Sequence, residues 1–365
     1  MSVIACLACK HEYPKDSLPF RCECGGVFDY SIFPKYHPEE IDHTKSSMWK
    51  YKSTFGLPDE TPEISLGEGN TPLISLDKDI FLKMESMNPT GSYKDRGSSV
   101  LVSMLKSRGV TTAVEDSSGN AGASFAAYST RSGIVATIYI PESTSGPKRT
   151  QIEKFDANII QVPGPRSEAA MAVLVAVQKG AVYASHAYMP FGLTGIATIA
   201  YEIVEQLGLC PGTVVAPVGH GGLLYGLMRG FDALCRAGII KHEPYYLGVQ
   251  SERCSPIAAA FQNSTTEIPE IIAQETAAEG VKVSSPVRGK QILEKIFASQ
   301  GSILSISEKE LICSYKELAL KGIYVEPTSA LVWAAIRGSF TKYPKPVVAV
   351  ITGSGYKSSL NPKME

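Results

Sequence analysis

NPTGSYKDRG, residues 88–97, sets one lysine between a Gly-Ser turn and an Asp-Arg-Gly step, shortly after the apolar run Ile80-Phe81-Leu82. An apolar run, a turn and then a helical pattern form one strand-loop-helix unit. Val100, Leu101, Met104 and Leu105 recur at helical spacing and would face a sheet, which puts Lys94 on the first turn of the helix at the mouth of that sheet. The positive end of the helix dipole and partial burial both disfavour an ammonium there, so Lys94 reads as a usable neutral amine, able to form a Schiff base and then act as a base. The plain alternative is a solvated surface lysine.

Outward from this unit the same pattern repeats. Short β-branched runs at 80–84, 111–115, 134–140, 158–162, 181–184, 213–217, 245–249 and 347–351 alternate with helical stretches near 94–108, 120–132, 147–155, 167–179, 195–208, 222–237, 308–321 and 328–338. Alternation of this kind predicts an α/β fold with mostly parallel sheets covered by helices. Ser307 with Glu310 makes a capping-box pattern, and Gly109, Gly133 and Gly180 stand where helices should stop. Residues 38–75 read as a connector wrapping the body, and 262–290 as an irregular polar segment near a site, with the mobility such segments often have.

Sites in parallel sheets lie beyond the C-terminal strand ends. Three further pieces fall there beside the lysine stretch. Ser117, Ser118, Gly119, Asn120 and Ala121 open a helix of small residues, where free amides and hydroxyls suit a carboxylate or a ring oxygen; a plain strand-to-helix turn capped by a serine is the alternative. Gly219, His220, Gly221, Gly222 and Leu223 lead from a buried strand into a helix and suit a phosphate. The third glycine of a dinucleotide fingerprint would fall at Leu224, and the Lys-Ser/Thr of a nucleotide P-loop is missing, so a small phosphorylated cofactor fits better. Thr352 follows the last strand, where a hydroxyl would meet a ring nitrogen without protonating it, whereas a carboxylate would protonate it.

Cys6-x2-Cys9-x12-Cys22-x-Cys24, with Gly25-Gly26 behind, is similar to a small zinc ribbon, although its second pair is tighter than the commoner C-x2-C. Four thiolates would close a structural site and leave no open position; unliganded thiols are the alternative. The other cysteines, Cys210, Cys235, Cys254 and Cys313, are scattered, so no disulfide framework is expected and a reducing, cytoplasmic setting fits.

A chain of 365 residues with 44% hydrophobic and 19% charged content reads as globular, and its net charge of -1 offers no field for nucleic acid or an anionic membrane. It has no apolar stretch of 18 residues and no basic, then apolar, leader at its start. The six histidines show neither metal spacing nor a Ser-His-Asp arrangement.

In this order, the pieces resemble the fold-type-II pyridoxal-phosphate enzymes, which share a tryptophan synthase beta-like fold, and specifically their threonine synthase branch. NPTGSYKDRG resembles the branch's lysine motif, SSGNAGAS its asparagine loop and PVGHGGLL its phosphate loop, while VEPTSA and TGSGYK match its C-terminal pieces. The resemblance implies two three-layer domains: a large cofactor-binding one at 38–109 and 196–365 and a small inserted one at 110–195, preceded by a zinc-ribbon-like segment at 1–37. It implies pyridoxal 5'-phosphate held as a Schiff base by Lys94, with Asn120 at the ring hydroxyl, residues 219–223 at the phosphate and Thr352 at the ring nitrogen. Ser117, Ser118, Gly119, Asn120 and Ala121 would take the substrate carboxylate, and a homodimer is expected.

The implied reaction converts O-phospho-L-homoserine and water to L-threonine and phosphate. One departure weakens that substrate assignment: the position aligned with the arginine for the substrate phosphate is Gly192, which leaves Lys148, Arg149 and Arg166 as the other candidate cations. A serine/threonine dehydratase or a β-replacement enzyme is the second reading, although the Asp-Arg step after Lys94 leans away from dehydratases. A non-catalytic binding protein is the third, disfavoured because all four site pieces are retained, and a dehydrogenase is lower still for want of an acidic ribose partner.

Overall fold

The computed structural model describes residues 3–338 and 340–358. Along the chain lie β1 (Val3–Cys6), β2 (Phe28–Ile32), β3 (Leu73–Asp77), β4 (Ile80–Lys83), α1 (Lys94–Ser107), β5 (Thr112–Glu115), α2 (Asn120–Ser132), β6 (Val135–Pro141), α3 (Pro147–Lys154), β7 (Asn158–Val162) and α4 (Arg166–Gln178). There follow α5 (Gly192–Leu207), β8 (Thr213–Pro217), α6 (Gly222–Arg236), β9 (Tyr245–Ser251), α7 (Pro256–Gln262), α8 (Gly289–Ala298), β10 (Ser302–Ile306), α9 (Glu308–Leu320), α10 (Pro327–Ile336) and β11 (Val347–Val350). The chain divides into two compact units: the part up to Gly69 with Lys94–Gly195, and Asn70–Tyr93 with the part from Ile196 on.

In the first unit, β5, β6 and β7 form a parallel three-stranded sheet in sequence order. Successive strand residues face opposite sides, so one sheet can serve two cores. Ala113, Ala136, Ile138 and Ile140 pack with Phe125 and Ala126 of α2 and Leu101 and Leu105 of α1, while Val114 and Tyr139 pack with Val173 and Val177 of α4. Helices therefore cover both faces. The antiparallel hairpin β1–β2 joins the first core through Ile4 and Tyr13, and the Tyr13 ring meets Phe28 and Phe191 edge-on at 4.7 and 5.3 Å.

The second unit holds a six-stranded sheet in the order β10-β9-β8-β11-β4-β3, parallel except for the edge strand β3. Leu82, Val215, Leu247 and Ala349 face Ala330, Leu331 and Leu318 of α10 and α9. On the opposite face, a side chain at Gly248 would meet Leu224 of α6, which places that helix across the sheet from α10.

The helix boundaries follow local chemistry. Ser307 and Glu310 make the expected capping box, and Gly133 ends α2 at φ 73°. Pro147, Pro256 and Pro327 each open a helix, where a missing N–H costs nothing. One expectation fails: residues 181–184 are not a strand but a single parallel bridge from Val114 to Tyr183. Helix α5 also starts three residues earlier than the sequence pattern suggests, at Gly192. No described helix is long and apolar enough to cross a membrane.

Candidate active site

In the first unit, Lys94 opens α1 and is half-buried, followed by the buried Asp95 and Arg96. Asp95 accepts the Ser124 hydroxyl at 2.6 Å, and Ser124 also bonds Ser98 at 2.8 Å, so α2 fixes the first turn of α1. The backbone just before Lys94 belongs to the second unit and is tied to the exit of β11: Tyr93 N–H donates to Thr352 O at 3.0 Å, and Ser92 bridges Gly353.

The Ser117–Ala121 loop joins β5 to α2. No serine caps the helix, as the plain alternative would have it: Gly119 is the N-cap, and Ser117 Oγ accepts the Gly119 N–H at 3.3 Å. Gly122 is needed because a Cβ there would run into Ser117 O. The loop packs so closely on the helix that the amides of the first turn, which lack intrahelical acceptors, stay grouped beside half-buried Ser118 and Asn120.

Residues just before this loop form a buried polar cluster that the sequence did not reveal. Glu115, wholly buried, lies 2.7 Å from His186 Nδ1, and the Tyr183 hydroxyl donates to Asp116 at 2.7 Å. Burial and the adjacent Asp116 charge hold the Glu115 carboxyl well above the usual carboxylate range, against the opposing charges of Lys94 and Arg166. The only sequence signal was an acidic pair at a strand end, which looks like an ordinary strand terminus until residues 183–186 are folded back over it.

Gly192 begins α5 against α1, and a Cβ there would lie 3.0 Å from Gly97 O, a tight approach at a position that also carries no charge. Arg149 is engaged with Glu153 at 2.9 Å and Thr144 O at 3.0 Å. Arg166 is exposed at the start of α4.

In the second unit, Gly219, His220 and Gly221 precede α6, with Gly221 at φ 96° as N-cap and Gly222 and Leu223 on the first turn. A Cβ at Gly222 would meet no protein atom within 4 Å, whereas one at Gly219 would sit 2.8 Å from Gly280 O. Open space ahead of first-turn amides that lack intrahelical acceptors, at the positive end of a 15-residue helix, is a ready receptacle for an anion. The polar 262–290 segment does back this loop: Arg288, fully buried, donates its amide to His220 O at 2.9 Å, and Gly280 approaches Gly219. Thr352, at the exit of β11, is buried and hydrogen-bonded to Ser329 and Glu326 at 2.9 Å each.

The four N-terminal sulfurs converge. Cys6, Cys9, Cys22 and Cys24 Sγ all lie within 4.8 Å of one another, brought together by the turns Lys10 N–H to Cys6 O and Gly25 N–H to Cys22 O at 3.0 and 2.8 Å. Burial pushes the Cys6 thiol up, but the amides of Cys9 and Ala8 and the neighbouring thiols outweigh it and bring it down to about 6.

Residues 64–353 match the family described as pyridoxal-phosphate dependent enzyme, a span that contains both glycine loops, Lys94 and Thr352. The chain belongs to that family. Within it the threonine synthase branch is indicated by two curated relatives. Threonine synthase of Methanocaldococcus jannaschii is 33% identical, over 96% of this chain and 92% of its own. Threonine synthase of Methanosarcina acetivorans is 31% identical, over 92% of this chain and 86% of its own. Among solved structures, maize serine racemase superposes with a TM-score of 0.69 at 21% identity, over 80% of this chain and 89% of its own, which speaks for the shared fold. The pyridoxal-phosphate enzyme described here thus carries the α/β architecture that its sequence pattern implied.

Proposed function

We propose that this pyridoxal-phosphate enzyme is a lyase that converts O-phospho-L-homoserine and water to L-threonine and phosphate. The observation that carries the reading is the extent of its likeness to threonine synthases, 33% and 31% identity across 96% and 92% of the chain.

The residues fit the cofactor. Open space before the first turn of α6 and the amides of 221–223 suit its phosphate. Lys94 is assigned to the aldehyde, Asn120 to the ring hydroxyl oxygen and Thr352 to the ring nitrogen. Once bound, pyridoxal phosphate supplies the electron sink for a carbanion next to the amino-bearing carbon. Lys94, half-buried on the first turn of α1, is assigned to take the α proton of the substrate. Ser117, Ser118 and the amides of Gly119, Asn120 and Ala121 orient the substrate carboxylate. The four cysteines are assigned to a structural zinc ion, for which sulfurs about 3.8 Å apart are expected from Zn–S bonds of about 2.3 Å. Sulfur pairs at 3.4 to 3.5 Å support that assignment. A cytoplasmic homodimer completes the reading.

Gly192 favours looking for the second reading, a serine/threonine dehydratase or β-replacement enzyme, in the same assay. Phosphate release from O-phosphohomoserine is measured beside keto-acid formation from threonine and serine. Fast phosphate release with little keto acid is expected, and the reverse sinks the proposal. Lys94→Ala is expected to lose the visible absorbance of the lysine-bound cofactor and about 10²–10⁴-fold in rate.

A further inference from the structure

Glu115 ends β5 two residues after Ala113, which packs with α1 and α2, so by strand alternation its side chain lies on the face of the sheet where Lys94 opens α1. The Lys94 charge acts on its carboxyl. Burying a carboxyl is costly unless its oxygens are hydrogen-bonded, and an apolar residue would serve this core better. Here Oε1 lies 2.7 Å from His186 Nδ1, while Oε2, equally buried, has no hydrogen-bond partner among the described residues. Packing alone does not account for such a residue at the mouth of a sheet.

The chain carries His186 to this carboxyl alongside β5. Val114 N–H donates to Val182 O at 2.8 Å and Ala184 N–H to Val114 O at 2.9 Å, so residues 182–184 run beside the strand in its own direction. Three residues beyond the Val114–Tyr183 bridge, each chain has left the sheet at its C-terminal end, one at Ser117 and the other at His186. His186 thus emerges beside the loop assigned to the substrate carboxylate. Its segment is fixed on both sides: the Tyr183 hydroxyl is bonded to Asp116, the Phe20 ring packs on Tyr183 and Tyr188 at 5.1 and 5.4 Å, and Met189 N–H donates to Ser185 O at 2.9 Å.

A contact of 2.7 Å between Oε1 and Nδ1 needs one hydrogen between them. If the carboxyl holds it, the ring is neutral with its own hydrogen on Nε2; if it has passed to Nδ1, the ring is an imidazolium, which carries a hydrogen on Nε2 as well. Only a neutral ring beside a bare carboxylate leaves Nε2 without one. That arrangement buries an anion with an oxygen unpartnered, which burial and the adjacent Asp116 charge disfavour. Half-buried His186 therefore serves as a donor through Nε2. Gly192 supplies no cation, and Arg149 is engaged with Glu153 and Thr144 O. Resting on the reading of the substrate as O-phospho-L-homoserine, we propose that His186, oriented by Glu115, is a specificity-determining residue that donates from Nε2 to the phosphate of the substrate. Glu115 is its positioning residue. The pair selects the phosphorylated amino acid, while cofactor binding and α-proton transfer stay with the residues already assigned to them.

The test sets steady-state phosphate release from O-phosphohomoserine by the holoenzyme beside its affinity for L-threonine, the product without a phosphate, read from the absorbance of the bound cofactor. His186→Phe is expected to raise KM for O-phosphohomoserine about tenfold or more and to weaken competitive inhibition by inorganic phosphate to match, while threonine affinity changes less than about twofold. His186→Gln, whose amide can donate from near the same place, is expected to recover part of the loss. A His186→Phe enzyme with the wild-type KM, or one that loses phosphate and threonine binding equally, overturns the proposal. Were His186→Phe to misfold, Glu115→Leu decides in its place: a KM raised about threefold or more is expected, and a wild-type KM overturns the proposal. Wild-type holoenzyme that releases no phosphate from O-phosphohomoserine would instead sink the functional reading, and the proposal with it.

Discussion

Lys83 Nζ lies 2.6 Å from Glu202 Oε2, with neither side chain reaching solvent. Its other protons go to Thr71 O at 2.7 Å and Gln206 Oε1 at 2.9 Å, and Glu202 Oε1 accepts the Asn70 N–H at 2.7 Å. All three ammonium donors are used. Buried pairs of this kind add little over an apolar pair of equal size, but losing one partner strands the other charge. Lys83→Met is expected to lower unfolding free energy by about 3–5 kcal/mol. The double variant Lys83→Met with Glu202→Leu should recover much of that loss, as read by chemical denaturation.

Two glycines separate fold from cofactor binding. Gly122→Ala forces a methyl onto Ser117 O and should cost about 1–3 kcal/mol in stability, seen as a lowered melting temperature. Gly222→Ala meets open space and a backbone that is not left-handed, so the melting temperature of the cofactor-free protein should hold. Its methyl would instead occupy the place assigned to the cofactor phosphate. Titration with pyridoxal phosphate should show affinity reduced about tenfold or more, since about 1.4 kcal/mol suffices for that factor.

Glu115 sets a pH dependence with a definite sign. Its folded pKa stands above the unfolded value, so the folded state retains a proton that the unfolded chain has released. Stability from this group is complete below about pH 4.3, the unfolded value, and declines as pH rises toward the folded pKa. The decline approaches about 1.4 kcal/mol per pH unit at most. His186, Asp116, Lys94 and Arg166 face or act on the same carboxyl and set where it ends. Glu115→Gln should flatten the slope in urea denaturation above about pH 4.3; an unchanged slope would assign it to other groups.

For the cysteine cluster, purified protein should carry about one zinc per chain by elemental analysis. A strong chelator, or Cys22→Ser, should remove it and make the segment around β1 and β2 more susceptible to proteolysis. Because Tyr13 of that segment packs on Phe28 and Phe191, a modest fall in melting temperature should accompany the loss. Protein purified without metal and indifferent to chelator would leave the sulfurs as thiols.

The buried strands of the larger sheet were legible because each is a short β-branched run closed by a turn: 213–217 stands where the pattern put it, and 347–351 to within a residue. The edges were not. Leu73–Asp77, with no fully buried residue on an antiparallel edge, lies inside a stretch that reads as connector, and in Ser302–Ile306 at the opposite edge two serines break up a run of three apolar residues. Residues 181–184 misled because β-branching and apolarity cannot distinguish one bridge from a ladder. At the site, glycine loops and Lys94 announce themselves through backbone needs that only certain residues meet. Glu115 with His186 and Glu326 with Thr352 depend on side chains 71 and 26 positions apart, and no local rule couples them.

The contact of Gly192 with Gly97 carries a consequence for redesign. Two helix backbones approach closely there, so an arginine at position 192, installed to tighten selection for a phosphorylated amino acid, would press its Cβ on Gly97 and require the first turn of α1 to give. Any attempt to retune selectivity in this chain has to start from another anchor, and half-buried His186, beside Glu115, offers one that leaves the contact of those two helices untouched.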